Sequence, residues 1–220
     1  MIPLHFKNKH LNKKAYICCN GPGLADIDFS LINNDIIFCL NRGYLKQDMN
    51  FNYWVSVDPK MENHFRKEFN AVDCAGKFSH SAIKDSFQLS WNPSRKGTFE
   101  TQFDVPFFQG YSTVISAITL AYWMGCNPVY LIGADHSLSW ENTAKENGSV
   151  RCLGADKDHF DPNYCPSDFK FNKQPIGNVA LYYNLAYKAF LKNNRIFLNA
   201  STFTKLSEDI LPRIKFEDTL

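Results

Sequence analysis

The feature that most constrains this chain is a series of short apolar runs, each closed by polar residues at its C-terminal end. Ala15-Tyr16-Ile17 runs through Cys18-Cys19 into Asn20-Gly21. Ile36-Ile37-Phe38-Cys39 ends at Asn41-Arg42-Gly43, and Tyr53-Trp54-Val55-Ser56-Val57 ends at Asp58-Pro59. Val129-Tyr130-Leu131-Ile132 closes at Gly133-Ala134-Asp135-His136, and Arg195-Ile196-Phe197-Leu198 precedes Asn199-Ala200-Ser201. Continuous apolar runs of strand length, without polar alternation, read as parallel strands buried on both faces. Residues 77–80 are a further strand candidate, and the rest of 60–108 carries no clear period. Residues 113–124 are apolar nearly all round, which predicts a buried helix. Ser112 supplies its N-cap, Gly125 its C-terminal cap, and Asn127-Pro128 stops it. Residues 178–193 predict an amphipathic helix, with Leu181, Leu185 and Ala189 beside Tyr182, Ala186 and Phe190. Strands alternating with helices give an α/β fold, a Rossmann-like doubly wound and mostly parallel sheet.

The 220 residues suit a single domain, with residues 138–175 as a lid-like insertion. That insertion is long, polar and turn-rich, and a loop of that kind in a compact domain is usually functional. The formal net charge of +2 gives no bulk electrostatic case for nucleic-acid binding. The basic N-terminal cluster Lys7, Lys9, His10, Lys13 and Lys14 reads as a solvated end, with an anionic membrane or partner as the alternative. Seven cysteines are an odd number, no signal peptide is recognisable and no C-x-x-C occurs. Free thiols in a reducing cytoplasm are therefore expected. Cys152 and Cys165 flank a histidine and keep a metal reading open. The longest apolar window, 114–124, is too short for a bilayer span, which takes about 20 residues. The 15% aromatic content reads mainly as core.

In a sheet of this kind the ligand lies beyond the carboxyl ends of the strands. The loop Asn20-Gly21-Pro22-Gly23 follows the first strand there, and its glycines let the backbone turn and approach a phosphate. A plain strand-to-helix turn needs the same residues. The chain has no G-x-x-x-x-G-K-[ST], no G-x-G-x-x-G in the first turn and no G-x-S-x-G. P-loop ATPases, standard dinucleotide binders and α/β-hydrolases are thereby disfavoured. Two histidines are candidates for proton transfer: His159 in Asp158-His159-Phe160-Asp161, and His136 after Asp135. Asp158 and Asp161 are the expected orienting carboxylates for His159. Asp135 is a candidate for orienting a hydroxyl, ligating a metal or capping the next turn. His64 and His80 read as solvated.

Taken together, Asn20-Gly21-Pro22, Asp28-Phe29-Ser30, Cys39-Leu40-Asn41-Arg42, Tyr111-Ser112-Thr113, residues 129–136 and His159-Phe160-Asp161-Pro162-Asn163-Tyr164 resemble a known family. It is that of the bacterial sialyltransferases of the Campylobacter and Pasteurellaceae type, with the related domain of motility-associated flagellin glycosylation factors. The resemblance covers roughly residues 14–200. It implies a variant GT-A domain that transfers a keto-sugar acid (sialic acid, Kdo or a related nonulosonate) from a CMP-sugar, with inversion and without metal or cofactor. It places Asn20, Gly21, Pro22, Gly23, Asn41, Arg42, Asp58, Ser112 and Thr113 around the nucleotide. His159 becomes the general base, with His136 and Asp135 as further catalytic candidates, and Tyr111 and Tyr164 as candidates for the leaving phosphate. Two residues depart from the family loop Gly-Asn-Gly-Pro-Ser: Cys19 and Gly23 replace its ends. The implied partners are a nucleotide sugar and a glycan acceptor in surface-polysaccharide synthesis. Peripheral association with the inner membrane face and a homo-oligomer stay open. The resemblance extends to hydroxymethylpterin pyrophosphokinases, which would use ATP and Mg²⁺ with Asp58 and Asp135 as ligands. A non-catalytic nucleotide-binding protein is the third reading.

Overall fold

In the computed structural model, residues 2–146, 149–172 and 175–220 are described. The strands are β1 (Ala15–Cys18), β2 (Ile36–Leu40), β3 (Tyr53–Ser56), β4 (Gly76–Ser79), β5 (Ser86–Gln88), β6 (Val129–Ile132), β7 (Thr143–Glu146), β8 (Ser149–Cys152), β9 (Lys170–Asn172) and β10 (Phe197–Asn199). Seven of them form one sheet in the order β10-β6-β1-β2-β3-β4-β5, and every pairing in it is parallel. The predicted α/β fold is the one observed.

Successive residues of each strand point to opposite faces. Ala15 and Ile17 therefore join one core layer, and Tyr16 and Cys18 the other. Both layers are apolar, which is why the runs show no alternation. The first layer holds α3 (Thr113–Trp123) and α4 (Ile176–Lys192), after the short α1 (Pro59–His64) and α2 (Arg66–Ala71) in chain order. All eleven residues of α3 are buried, because the helix lies between the sheet and its neighbours. The second face is covered more thinly. Leu24, Phe29 and Ile32 come from two 3₁₀ turns, Pro22–Asp26 and Phe29–Ile32, and Ile27 from the link between them; together they form the crossover from β1 to β2 in place of an α-helix. Met61, Phe65 and Phe69 of α1, α2 and their junction complete it.

The elements missed in residues 60–108 are short. α1 and α2 have six residues each and β5 only three, so none displays a full period. Residues 138–175 also differ from a plain loop, since β7, β8 and β9 form a separate three-stranded antiparallel sheet within them. Among the described residues no helix is long and apolar enough to cross a membrane.

Phe190 of α4 is fully buried, with rings of Tyr122 and Phe197 at 5.0 and 5.2 Å. Phe190→Ala should lower unfolding free energy by about 3–5 kcal/mol, read as a lower urea midpoint at unchanged slope.

Candidate functional site

The chain proceeds from β1 outward to β5 and then returns to lay β6 on the other side of β1. Connections leave β1 and β6 in opposite directions, so a crevice opens past their carboxyl ends. Register keeps those ends level: Cys18 pairs with Cys39 on one side and Ile132 on the other. Two adjoining cavities, of about 700 and about 130 Å³, occupy this edge. They share Asn41, Ser112, Thr113, Leu138, Asp158, His159 and Tyr164. The larger also takes in Asp58 and Tyr111, and the smaller Asn20, Gly21, Asp135 and His136.

The glycine loop is shaped by a carboxylate. The Gly23 N–H donates to Asp135 Oδ2 at 2.5 Å, and the Gly21 N–H to the Gly133 carbonyl at 3.0 Å. A Cβ on Gly21 would stand 2.7 Å from that carbonyl oxygen and 2.8 Å from the Asp135 carboxylate. Glycine is required here for close packing against Asp135. Pro22 opens the 3₁₀ turn that follows. Asp135 Oδ1 is buried with no hydrogen-bond partner among the described residues. Burial raises the Asp135 carboxyl above its ordinary value, and the Gly23 N–H opposes that rise.

Asn20 and Asn41 stand at neighbouring strand ends. Asn20 Nδ2 donates to the Leu40 carbonyl at 3.0 Å and to the Tyr164 hydroxyl at 2.9 Å. Its Oδ1 is buried and has no hydrogen-bond partner among the described residues. Asn41 adopts φ of 46°, and its Oδ1 accepts from Thr113 Oγ1 at 3.2 Å. Ser112 is the N-cap of α3, but no hydrogen bond from its side chain caps the helix. The positive end of the helix, with its first-turn N–H groups, thus borders both cavities, an arrangement suited to an anion. Just before it, Gly110 and Tyr111 have φ of 58° and 65°, and Tyr111 is partly exposed. Left-handed backbone at a bulky residue carries strain of the kind that gathers at functional sites. Asp58 borders the larger cavity, but its carboxylate caps α1 through the Lys60 N–H at 2.8 Å.

The insertion brings a histidine and a carboxylate together over these groups. His159 Nδ1 lies 2.7 Å from Asp156 Oδ2, and the Cys165 N–H donates to the same oxygen at 3.2 Å. The His159 ring stacks on Tyr164 at 3.9 Å and 13°. Burial pushes the Asp156 carboxyl upward, but the His159 contact and the surrounding hydrogen bonds outweigh it and hold the group below its ordinary value. Neither carboxylate expected beside His159 serves it. Asp158 accepts from the Ser139 and Trp140 N–H groups, and Asp161 from that of Asn163. Asp156 was missed although Asp-x-x-His has a legible spacing; a polar loop offers many such pairs. Asp156, His159 and Cys165 also present ligand atoms within 4.8 Å of one another, a donor set suited to a metal ion. The Cys152 thiol contacts that of Cys165. All seven cysteines are free.

The remaining candidates are placed differently. His136, at φ of 51°, packs on Tyr183 and borders only the smaller cavity; burial lowers its pKa and leaves it neutral at pH 7. Burial carries the Tyr164 phenol far above its ordinary value, so its hydroxyl stays protonated. Arg42 does not border either cavity: its guanidinium is directed at backbone carbonyls of Asn163 and Tyr164. Pro22 and Gly23 also lie outside both linings. Asp58 and Asp135 follow β3 and β6, which are three strand spacings apart in the sheet, or about 14 Å.

The Asp156 shift fixes a sign. A carboxyl depressed by folding contributes stability that is complete above its unfolded value and is lost as pH falls through its folded one. Asp156→Asn should therefore melt lower than the wild type at pH 7, with the gap narrowing below pH 3.8, the ordinary Asp value. Melting curves at pH 7 and pH 3 check this.

The same fold is found in the structure of MAf glycosyltransferase from Magnetospirillum magneticum AMB-1. The TM-score is 0.56 at 14% identity, over 90% of this chain. The match spans 33% of that larger chain. No curated protein matches the sequence. Because the family profile described as 6-hydroxymethylpterin diphosphokinase MptE-like matches residues 2–141, well over half of its length, this chain belongs to the MptE-like family.

Proposed function

We propose that this chain is an inverting, metal-independent glycosyltransferase that moves a keto-sugar acid from a CMP-sugar to a glycan hydroxyl. The observation that carries this reading is the Asp156–His159 pair: His159 lines both cavities, and Asp156 lines the larger one beside it. Asp156 engages Nδ1, so Nε2 is the nitrogen left to receive a proton. The acceptor oxygen attacks the anomeric carbon and the bond from that carbon to the CMP phosphate breaks. The acceptor proton passes to His159 Nε2, and Asp156 stabilises the imidazolium that forms. The departing phosphate gathers charge beside the N-terminus of α3, where the preorganised first-turn N–H groups favour it. Asn41, Ser112 and Thr113 hold the nucleotide between them. His136, neutral and off the larger cavity, serves binding. The Asp135 carboxylate shapes the loop. Seven free thiols fit a reducing compartment, the cytoplasm, with the acceptor reached from the inner membrane face.

A second reading is favoured by the family profile, whose description is that of a pterin diphosphokinase. An ATP-dependent diphosphoryl transfer needs Mg²⁺ held by carboxylates and phosphates. Asp58 and Asp135 follow strands three spacings apart, which argues against one ion site between them and supports the glycosyltransferase reading.

The two separate in a melting-temperature panel with CMP, CDP, UDP, GDP, ADP and ATP, with Mg²⁺ or with EDTA. CMP at 100 times its Kd should stabilise by about 2.7 kcal/mol, and equally in EDTA. His159→Ala should keep that response and lose about 10²–10⁴-fold in transfer. A response confined to ATP or ADP with Mg²⁺ would establish the diphosphokinase instead. CMP binding with no transfer by either protein would point to a non-catalytic nucleotide-binding role.

A further inference from the structure

We propose that Arg42 is a positioning residue, a latch that holds the base in place through Tyr164, rather than a phosphate ligand. The inference rests on the reading of His159 as the base. Arg42 Nη1 donates to two successive carbonyls, those of Asn163 at 2.6 Å and Tyr164 at 2.5 Å. These two oxygens flank the Tyr164 residue, so its backbone is pinned on both sides. The guanidinium is held in turn by Glu68 at 3.2 Å, which also accepts from the Tyr44 hydroxyl at 2.6 Å. It stacks over the Phe65 ring at 4.2 Å. Arg42 is only 8% exposed, and both of its terminal nitrogens are engaged away from the two cavities.

What Arg42 fixes is the neighbour of the base. The pinned Tyr164 carries the ring on which His159 stacks, and its hydroxyl meets Asn20. The Phe160 N–H, next to His159, donates to the Asn20 carbonyl at 3.0 Å. Arg42 also adjoins Asn41, which borders both cavities. One turn after β2 thus serves the nucleotide side through Asn41 and the base side through Arg42. A closed circuit of contacts (Tyr164, Asn20, Phe160, His159), anchored by Arg42 at Tyr164, ties the insertion to the ends of β1 and β2. The role requires arginine: a planar fork reaches two carbonyls and a carboxylate while stacking on a ring, and a lysine ammonium on the same stem does not.

The test compares wild type, Arg42→Lys and His159→Ala for CMP affinity, transfer kinetics and backbone hydrogen exchange across residues 156–165. For Arg42→Lys, kcat should fall about 10- to 100-fold from a displaced base. CMP affinity should stay within about twofold, and amides of residues 159–165 should exchange at least about tenfold faster, as local opening becomes easier. A phosphate ligand would behave the opposite way: weaker CMP binding with unchanged exchange in 159–165 overturns the proposal. His159→Ala separates the two failures. If it transfers normally the base reading falls, while faster exchange in Arg42→Lys still shows the latch. Should Arg42→Lys fail to fold, wild-type exchange decides, since the amides of Phe160, Tyr164 and Cys165 must then exchange more slowly than those of Gly154 and Ala155, and equal exchange overturns the latch.

Discussion

Everything at the candidate site depends on β1 being buried on both faces between two parallel neighbours. A parallel ladder in register brings the last residues of β1, β2 and β6 to one level. The chain's polar residues at those ends, Asn20, Asn41 and Asp135, are then neighbours in space although far apart in sequence. The hydrophobic burial that holds the strands has no chemical specificity of its own. It nonetheless fixes, to within a strand spacing, where every polar group at the edge must stand.

Polar groups at that edge are unevenly satisfied, and the unevenness is informative. Buried donors and acceptors are nearly always paired in native proteins. Asn20 Oδ1 and Asp135 Oδ1 are exceptions, and both residues line the smaller cavity. By contrast, Asp156 and Asp158 have their carboxylates committed within the insertion, and Arg42 divides its guanidinium between the insertion's backbone and Glu68. The sheet edge retains unused hydrogen-bonding capacity while the insertion is internally tied, so the edge is where a ligand finds partners and the insertion supplies a fixed wall.

Much of the fold was legible in the residues. Five of the seven sheet strands were visible as uninterrupted apolar runs because both faces are covered, and α3 showed itself as apolar all round for the same reason. β5, α1 and α2 were not visible, being shorter than the period that would reveal them. The β1–β2 crossover is not an α-helix: its apolar residues Leu24, Ile27, Phe29 and Ile32 are spaced to cover a sheet face from two tight turns and the link between them. At the site, strand-end position picked out Asn20, Asn41, Asp135 and His136, and motif and spacing picked out His159. The partner of His159 was misassigned to Asp158 and Asp161, because nearness in sequence says little about direction inside a turn-rich segment.

The sequence by itself determined a parallel α/β sheet, the level at which its polar strand ends collect, and the identity of the titratable groups available there. Period and burial decide these, and both are local properties of the chain. Only the tertiary structure decided what each group does. Arg42 sits beside Asn41 in sequence yet turns to the insertion's backbone. The two glycines of the first loop answer to a carboxylate more than a hundred residues away. Asp156, rather than its neighbours, meets the imidazole. Hydrogen bonds are directional and short-ranged. Partnership is therefore settled by where the backbone finally points, which no pattern of residue types records.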